Sequence, residues 1–442
     1  VDLATTRRVI CALVLLLAAA GCGARDASPP AAERLVLIGV DGLDPRVVDR
    51  LRREGRLPNL DRFLDRGVSG EIETLLPAYS PILWATIATG KLPPKHGILG
   101  FGKKRGDGTT VPYTSNARRA AALWSILGAS GRRVAVVGWW TTWPAESVPG
   151  VIVSDRMLYN RFNLWLGQER FGADLPGQTH PPELFGELAA VVQGEPASRQ
   201  EFFARFTAGG AAPELREDLH DPWYELFLAW TRDTAYLRML RHVEQSGPYD
   251  FLAFYLNGPD IASHYFWKYA FPEEWDEPIP ADELAARADV IARYYEFMDD
   301  ALGPLLEQAD ERSVVVLVSD HGFTTGHRPD SPNISGTHHR TGPPGVIAMA
   351  GGDLPRGGRI DRASIADVAP TVLHLLGHPV GRDMDGAVLP VAAGGRAVEF
   401  VASHEDGSRG AGGEPLATAY DAEILRKLEA LGYVDASGAE RP

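Results

Sequence analysis

The chain has 442 residues, 45% of them hydrophobic and 23% charged, enough to bury the core of one large α/β domain or about two to three average ones. Acidic residues outnumber basic ones 58 to 44, for a formal net charge of −14. That balance argues against a surface for nucleic-acid polymers, which needs a basic footprint, but not against a small anionic substrate, because bound metal ions supply positive charge locally.

Residues 1–22 read as a lipoprotein signal peptide. Arg7 and Arg8 precede an apolar run, Val9 to Ala20, that is too short to span a bilayer comfortably. The run ends in Ala19-Ala20-Gly21-Cys22, which has the form of a lipobox with Ala where Leu is usual. This implies export to the periplasm or cell envelope, with acylation at Cys22 as the membrane contact. Only Cys11 and Cys22 are present, so after processing no disulfide is available and stability must come from the core and bound metal. Residues 23–33, rich in Ala, Pro and Ser, read as a flexible tether.

Strand-like apolar runs follow at Leu35–Val40, Val134–Gly138, Val151–Ser154, Phe251–Leu256, Val314–Ser319 and Val346–Ala350. They show little alternation, as expected of strands buried on both faces. Helices are expected at Pro45–Glu54, Leu60–Arg66, Arg118–Ala129 and Asp282–Gln308. Strands alternating with helices indicate a mostly parallel sheet covered on both faces. Residues 160–245 break the rhythm and read as an inserted cap that controls substrate choice; their Trp223, Tyr224, Phe227 and Trp230 have near-helical spacing suited to packing. Trp139, Trp140 and Trp143 likewise read as packing at a strand end. The Gly-rich stretch 403–418 is expected to be loose, within a tail that spans 396–442.

Ligands in open α/β sheets gather at the carboxyl ends of strands. Three of the runs end there in carboxylates: Asp41-Gly42, Asn257-Gly258-Pro259-Asp260 with His264 four residues on, and Asp320-His321-Gly322. Singly, each has an ordinary explanation as a cap, turn or helix-face pair. Together, after buried strands, they are the ligand types of an open catalytic metal site. A nucleophile is expected at Ser80, capping a helix that begins with Pro81, where a helix N-terminus also favours a phosphoryl oxygen and a metal would acidify the hydroxyl.

These residues bring out a resemblance. Gly39-Val40-Asp41-Gly42, Pro58-Asn59-Leu60, Ser80 ahead of Gly90, and Pro94-x-His96-Gly97-Ile98 resemble the alkaline phosphatase superfamily, in its type I phosphodiesterase/nucleotide pyrophosphatase branch. So do Asp260-x-x-x-His264, Ser319-Asp320-His321-Gly322, Asp367-x-Ala369-Pro370-Thr371, Met384-Asp385-Gly386 and the ending Leu428-Glu429-Ala430-Leu431-Gly432-Tyr433. The resemblance implies a three-layer α/β sandwich over residues 34–395. It also implies two divalent metal ions, zinc by analogy although manganese suits many of the same groups. Asp41, Ser80, Asp320 and His321 would hold one; Asp260, His264 and a histidine from Ser335-Gly336-Thr337-His338-His339-Arg340 would hold the other. His339 is preferred on the His-Arg spacing, His338 on the Gly-x-His spacing. The implied reaction is in-line displacement at phosphorus by Ser80, through a phosphoserine that water then cleaves, on a phosphorylated small molecule, lipid or glycan.

One position departs from the pattern. Where the nucleotide pyrophosphatases carry an Asn for a phosphate oxygen, ungapped alignment from His96 puts Phe101, with Lys103, Lys104, Asn116 or Arg118 as possible substitutes. Three rival readings are a sulfatase, a phosphate mutase and a catalytically silent surface-binding lipoprotein. The sulfatase motif requires Arg at the fourth residue after its nucleophile, and that residue here is Trp84.

Overall fold

The computed structural model describes residues 30–158, 175–194, 198–207, 213–216, 218, 220–326, 333–407, 412–419 and 421–430. The expected signal peptide, Cys22, most of the tether, residues 160–174 of the expected cap and residues 431–433 of the ending motif lie outside the described residues.

Among the described residues, nine strands form one sheet: β1 (Arg34–Val40), β2 (Val68–Ile72), β3 (Val134–Val137), β4 (Gly150–Val153), β5 (Thr179–His180), β6 (Phe251–Leu256), β7 (Ser313–Val318), β8 (Gly345–Ala350) and β9 (Gly358–Ile360). Their order is β9-β2-β8-β7-β1-β6-β3-β4-β5. The centre, β7-β1-β6-β3-β4, is wholly parallel. Strand β8 runs antiparallel to both its neighbours, and β5 runs antiparallel at the opposite edge.

The sheet separates two cores. Val36, Ile38 and Val40 of β1 enter one, while Leu35 and Leu37 enter the other, so strand residues alternate between two apolar layers. The first layer is closed by α1 (Pro45–Arg53), α2 (Pro58–Asp65), α5 (Pro222–Gln245), α6 (Gly258–Ala270) and α7 (Val290–Leu306). The second is closed mainly by α3 (Ser80–Thr89), α4 (Leu123–Ala129) and α8 (Val368–Leu375). This is the expected three-layer α/β sandwich.

Four expectations are corrected. The helix expected over Arg118–Ala129 starts only at Leu123, because Arg118 is drawn into the interior, where its guanidinium donates to the carbonyls of Ala120 and Thr141 and to Glu146 at 2.5 Å. The helix expected over Asp282–Gln308 divides into Ala281–Arg287 and Val290–Leu306. In the expected cap, α5 packs into the first core and Tyr236 donates to the Ser154 carbonyl at 2.9 Å, so this part belongs to the helical layer. The described part of 403–418 is tied down: Glu405 accepts from buried Lys91 and from the Ala121 amide, Glu414 pairs with Lys103, and the Pro415 carbonyl accepts from Arg105.

Helix α6 carries two of the expected ligands, and its start is held by Asp233 of α5. That buried carboxylate accepts from the amides of Asn257 (3.2 Å) and Gly258 (2.9 Å) and from the Tyr294 hydroxyl (3.0 Å). Burial outweighs these donors and pushes the Asp233 carboxyl up to about 6. Its folded value therefore exceeds its unfolded one, so its contribution is fully present below about pH 4 and is lost as the pH rises through about 6. In chelator, the stability difference between the parent and Asp233→Asn should fall by about 3 kcal/mol between pH 4 and pH 7. Urea melts at the two pH values measure it.

Candidate metal centre

The carboxyl ends of three adjacent strands supply the site. Strand β1 runs into Asp41, β6 into α6 with Asp260 and His264, and β7 into Asp320 and His321. The turn after β1 requires glycine: Gly42 has φ +66°, and a Cβ there would lie 2.9 Å from Asp260 Cα. The Gly42 amide donates to Asp320 Oδ1 (3.3 Å), and the Leu43 amide donates to Ser319 Oγ (2.9 Å), which joins the β1 and β7 ends.

Asp41, Ser80, Asp260, His264, Asp320, His321 and His338 are all buried, and His339 is half-buried. His321 Nε2 stands 3.2 Å from Asp41 Oδ1, 3.5 Å from Asp320 Oδ2 and 3.9 Å from Asp260 Oδ1. Asp260 Oδ1 in turn lies 3.4 Å from His264 Nε2 and 3.5 Å from His338 Nε2. Ligand atoms fall within 4.8 Å of one another in three sets: Asp41-Asp320-His321, Asp260-His321-His338 and His264-His338-His339. His338, preferred on the Gly-x-His spacing, thus takes part in two sets and is wholly buried, whereas His339, preferred on the His-Arg spacing, is half-buried and takes part in one.

The donor chemistry fits divalent metal. Asp41 Oδ1, Asp260 Oδ1, Asp320 Oδ2 and His321 Nε2 are buried, face one another and make no hydrogen bond. Native proteins rarely leave such atoms unsatisfied without an ion or water. The rings are oriented from behind: His264 Nδ1 meets the Gly336 carbonyl at 3.0 Å and His321 Nδ1 the Gly322 carbonyl at 3.1 Å, so both Nε2 atoms face the centre. Electrostatics agree. Burial disfavours charge on His321, yet Asp320, Asp41 and Asp260 raise it to about 9, while burial and then Asp41 push Asp320 well above the usual carboxylate range. Without metal, the cluster takes up protons to offset its own negative charge.

Ser80 opens α3, one residue further into the helix than expected: Tyr79 is the N-cap residue, and Pro81 is second rather than first. The amides of Ile82 and Leu83 both bond to the Tyr79 carbonyl and Pro81 has none, so this helix start offers an anion its dipole more than a fan of free amides. Two contacts tie this helix start to the centre. The Ala78 amide donates to the His339 carbonyl (3.2 Å), and Trp84, one turn beyond Ser80 on the same face, donates from Nε1 to Asp41 Oδ2 (3.2 Å). Trp84 crosses β1 closely, since a Cβ on Gly39 would lie 2.5 Å from its ring.

A model of the "Type I phosphodiesterase / nucleotide pyrophosphatase" family matches residues 35–359. The chain belongs to this family. Among curated proteins, a 2,3-bisphosphoglycerate-independent phosphoglycerate mutase of Paracoccus denitrificans is 35% identical over 100 residues, 22% of this chain and 19% of the mutase. The match therefore spans about a fifth of the length of that relative. Among solved structures, a phosphonate monoester hydrolase from Silicibacter pomeroyi aligns with TM-score 0.47 and 14% identity over 83% of this chain and 77% of that one. A phosphonoacetate hydrolase from Sinorhizobium meliloti, in complex with phosphonoformate, gives 0.42 and 19% over 69% and 60%.

Three of the four groups suggested to replace the family's phosphate-binding Asn are committed elsewhere. Lys103 pairs with Glu414, Asn116 donates to the Glu414 carbonyl, and Arg118 is bound to Glu146. Phe101 is buried between Tyr79 (ring centroids 5.3 Å) and Trp140 (6.3 Å), an aromatic wall beside Ser80 that residue spacing did not reveal. No described helix is long and apolar enough to cross a membrane.

Three carboxylates facing one imidazole repel one another when no cation is present. Replacing Asp260 with Asn should therefore raise the melting temperature in chelator by about 2 °C, while most of the further rise given by zinc is lost. Calorimetry with and without zinc tests both; a lower melting temperature in chelator with the zinc effect unchanged would count against a metal role for Asp260.

Proposed function

We propose that the protein is a metal-dependent hydrolase of phosphate esters that uses Ser80 as nucleophile. The observation that carries this reading is the buried convergence of Asp41, Asp260, Asp320 and His321, with unsatisfied ligand atoms, beside the helix that Ser80 opens. Asp41, Asp320, His321 and Ser80 would hold one ion. Asp260, His264 and His338 would hold the second, with His339 turned to the substrate. Zinc suits this nitrogen and oxygen donor set, and manganese fits many of the same groups. When bound, the ions supply positive charge at the attacking and leaving oxygens and make a coordinated hydroxyl more acidic.

Ser80 Oγ then gives up its proton to solvent and attacks phosphorus in line with the ester oxygen. The P–O bond to the leaving group breaks, and the alcohol departs with a proton from solvent. Water attacks phosphorus of the resulting phosphoserine; the P–Oγ bond breaks, Oγ regains a proton, and phosphate is released from a monoester or a phosphate monoester from a diester. The substrate is a phosphorylated small molecule, lipid or glycan. Trp84 supports this reading over a sulfatase, because the place of the sulfatase Arg holds an indole already bonded to Asp41.

The partial likeness to phosphoglycerate mutases favours one second reading, transfer of phosphate within one molecule. Turnover of bis(4-nitrophenyl) phosphate, 4-nitrophenyl phosphate and 4-nitrophenyl sulfate, with and without zinc, should show phosphate chemistry alone and nitrophenol release. Ser80→Ala should lower it by at least about 10³-fold, and acid quenching of the parent should leave one phosphate on Ser80. Transfer to an alcohol with no release to water would favour the mutase; zinc-dependent turnover unchanged in Ser80→Ala would refute the nucleophile.

We also propose export to the cell envelope with a lipid on Cys22, which the residue pattern at 7–22 supports. The parent should fractionate with membranes, and Cys22→Ser should appear in the soluble periplasmic fraction. Identical fractionation of the two would remove the anchor.

A further inference from the structure

Asp41 presents its two oxygens to different neighbours. Oδ1 faces His321 with no hydrogen bond, whereas Oδ2 accepts from two donors, Trp84 Nε1 at 3.2 Å and the Tyr255 hydroxyl at 2.5 Å. Tyr255 is the penultimate residue of β6 and is buried beside the register partner of β1. Its hydroxyl is enclosed with the Asp41 carboxylate and donates to it. The same hydroxyl accepts from Trp140 Nε1 at 2.7 Å. A directed chain therefore runs from the Trp140 indole, through Tyr255, to Asp41.

The Trp140 end is built and not incidental. The next residue, Thr141, is the one described non-glycine residue with positive φ (+56°), a costly conformation for a β-branched side chain. It is held there by Asp155, which accepts from the amides of Thr141 (3.0 Å) and Trp143 (2.9 Å), and by Arg118, which donates to the Thr141 carbonyl (3.0 Å). Trp140 itself is half-buried and touches Phe101 of the wall beside Ser80. A strained, doubly anchored turn thus aims one indole N–H at one hydroxyl.

We infer that Tyr255 and Trp140 are positioning residues for the metal centre: their relay occupies Asp41 Oδ2, so that Asp41 offers a metal only Oδ1. The inference rests on the metal reading above.

Its test measures metal binding, apart from turnover. Zinc is titrated against a competing chelator into the full chain and into Tyr255→Phe, Trp140→Phe, the double variant and Asp41→Ala, and visible spectra are recorded with cobalt in place of zinc. Asp41→Ala should lose one tight equivalent. Tyr255→Phe should weaken that same equivalent by about 10-fold to 100-fold, and Trp140→Phe by about threefold. Because Trp140 acts through Tyr255, the double variant should be no weaker than Tyr255→Phe alone. The cobalt bands should shift in both single variants. Trp140→Phe changes no residue in the sheet, so it reports on the relay even if Tyr255→Phe folds poorly. Effects that multiply in the double variant, or unchanged affinity and spectra in both single variants with the Asp41→Ala loss intact, would overturn the relay. Two tight equivalents retained by Asp41→Ala would instead overturn the metal reading beneath it.

Discussion

Burying several negative charges in one dry place is what the rest of this molecule is arranged around. Asp41, Asp260 and Asp320 converge on one side of His321 with oxygens that no hydrogen bond satisfies. Such a cluster is unfavourable by itself: like charges in a low dielectric repel, and each ion has lost its water. It persists because packing elsewhere over-determines it, and a divalent cation held there would convert the repulsion into binding energy. The protonated imidazole is the nearest substitute that the chain can supply from its own atoms.

The scaffold meets that demand with rigid parts. The ligands leave the ends of parallel strands that are covered on both faces, the arrangement that leaves side chains least room to relax. Behind them, Asp44 ties the Phe323 amide to the start of α1, Ser319 joins the β1 and β7 ends, and Asp233 fixes the start of α6. These polar groups bond mainly to backbone, with the Tyr294 hydroxyl as an added donor to Asp233, and the candidate ligand atoms keep facing the centre. Trp84, one turn beyond Ser80, adds an indole bonded to Asp41.

Much of this was legible from residues alone, and the physical reason is burial. Strands such as Leu35–Val40 and Val314–Ser319 stand out because both faces are apolar, and the polar residues that end them stand out by contrast. Strand β2, Val68-Ser69-Gly70-Glu71-Ile72, was invisible because only its two ends are buried apolar residues, and β9 is three residues long. The short start of α4 could not be foreseen, since it depends on Arg118 finding Glu146 and the Thr141 carbonyl across the fold. Likewise, neighbouring His338 and His339 differ in sequence only by position; their unequal burial and their distances to Asp260 belong to tertiary structure. The Trp140–Tyr255–Asp41 chain joins three segments and carries no local signature at all.

The direction of β1 has a topographic consequence. Arg34 enters the sheet at the amino edge of the parallel strands, and Asp41 leaves it at the carboxyl edge, seven residues or ~23 Å away. Whatever is joined ahead of Arg34 therefore meets the sheet at the edge opposite the one where Asp41, Asp260 and Asp320 gather. A protein held at that end would carry its aspartate cluster on the far side of the sheet from the surface that holds it.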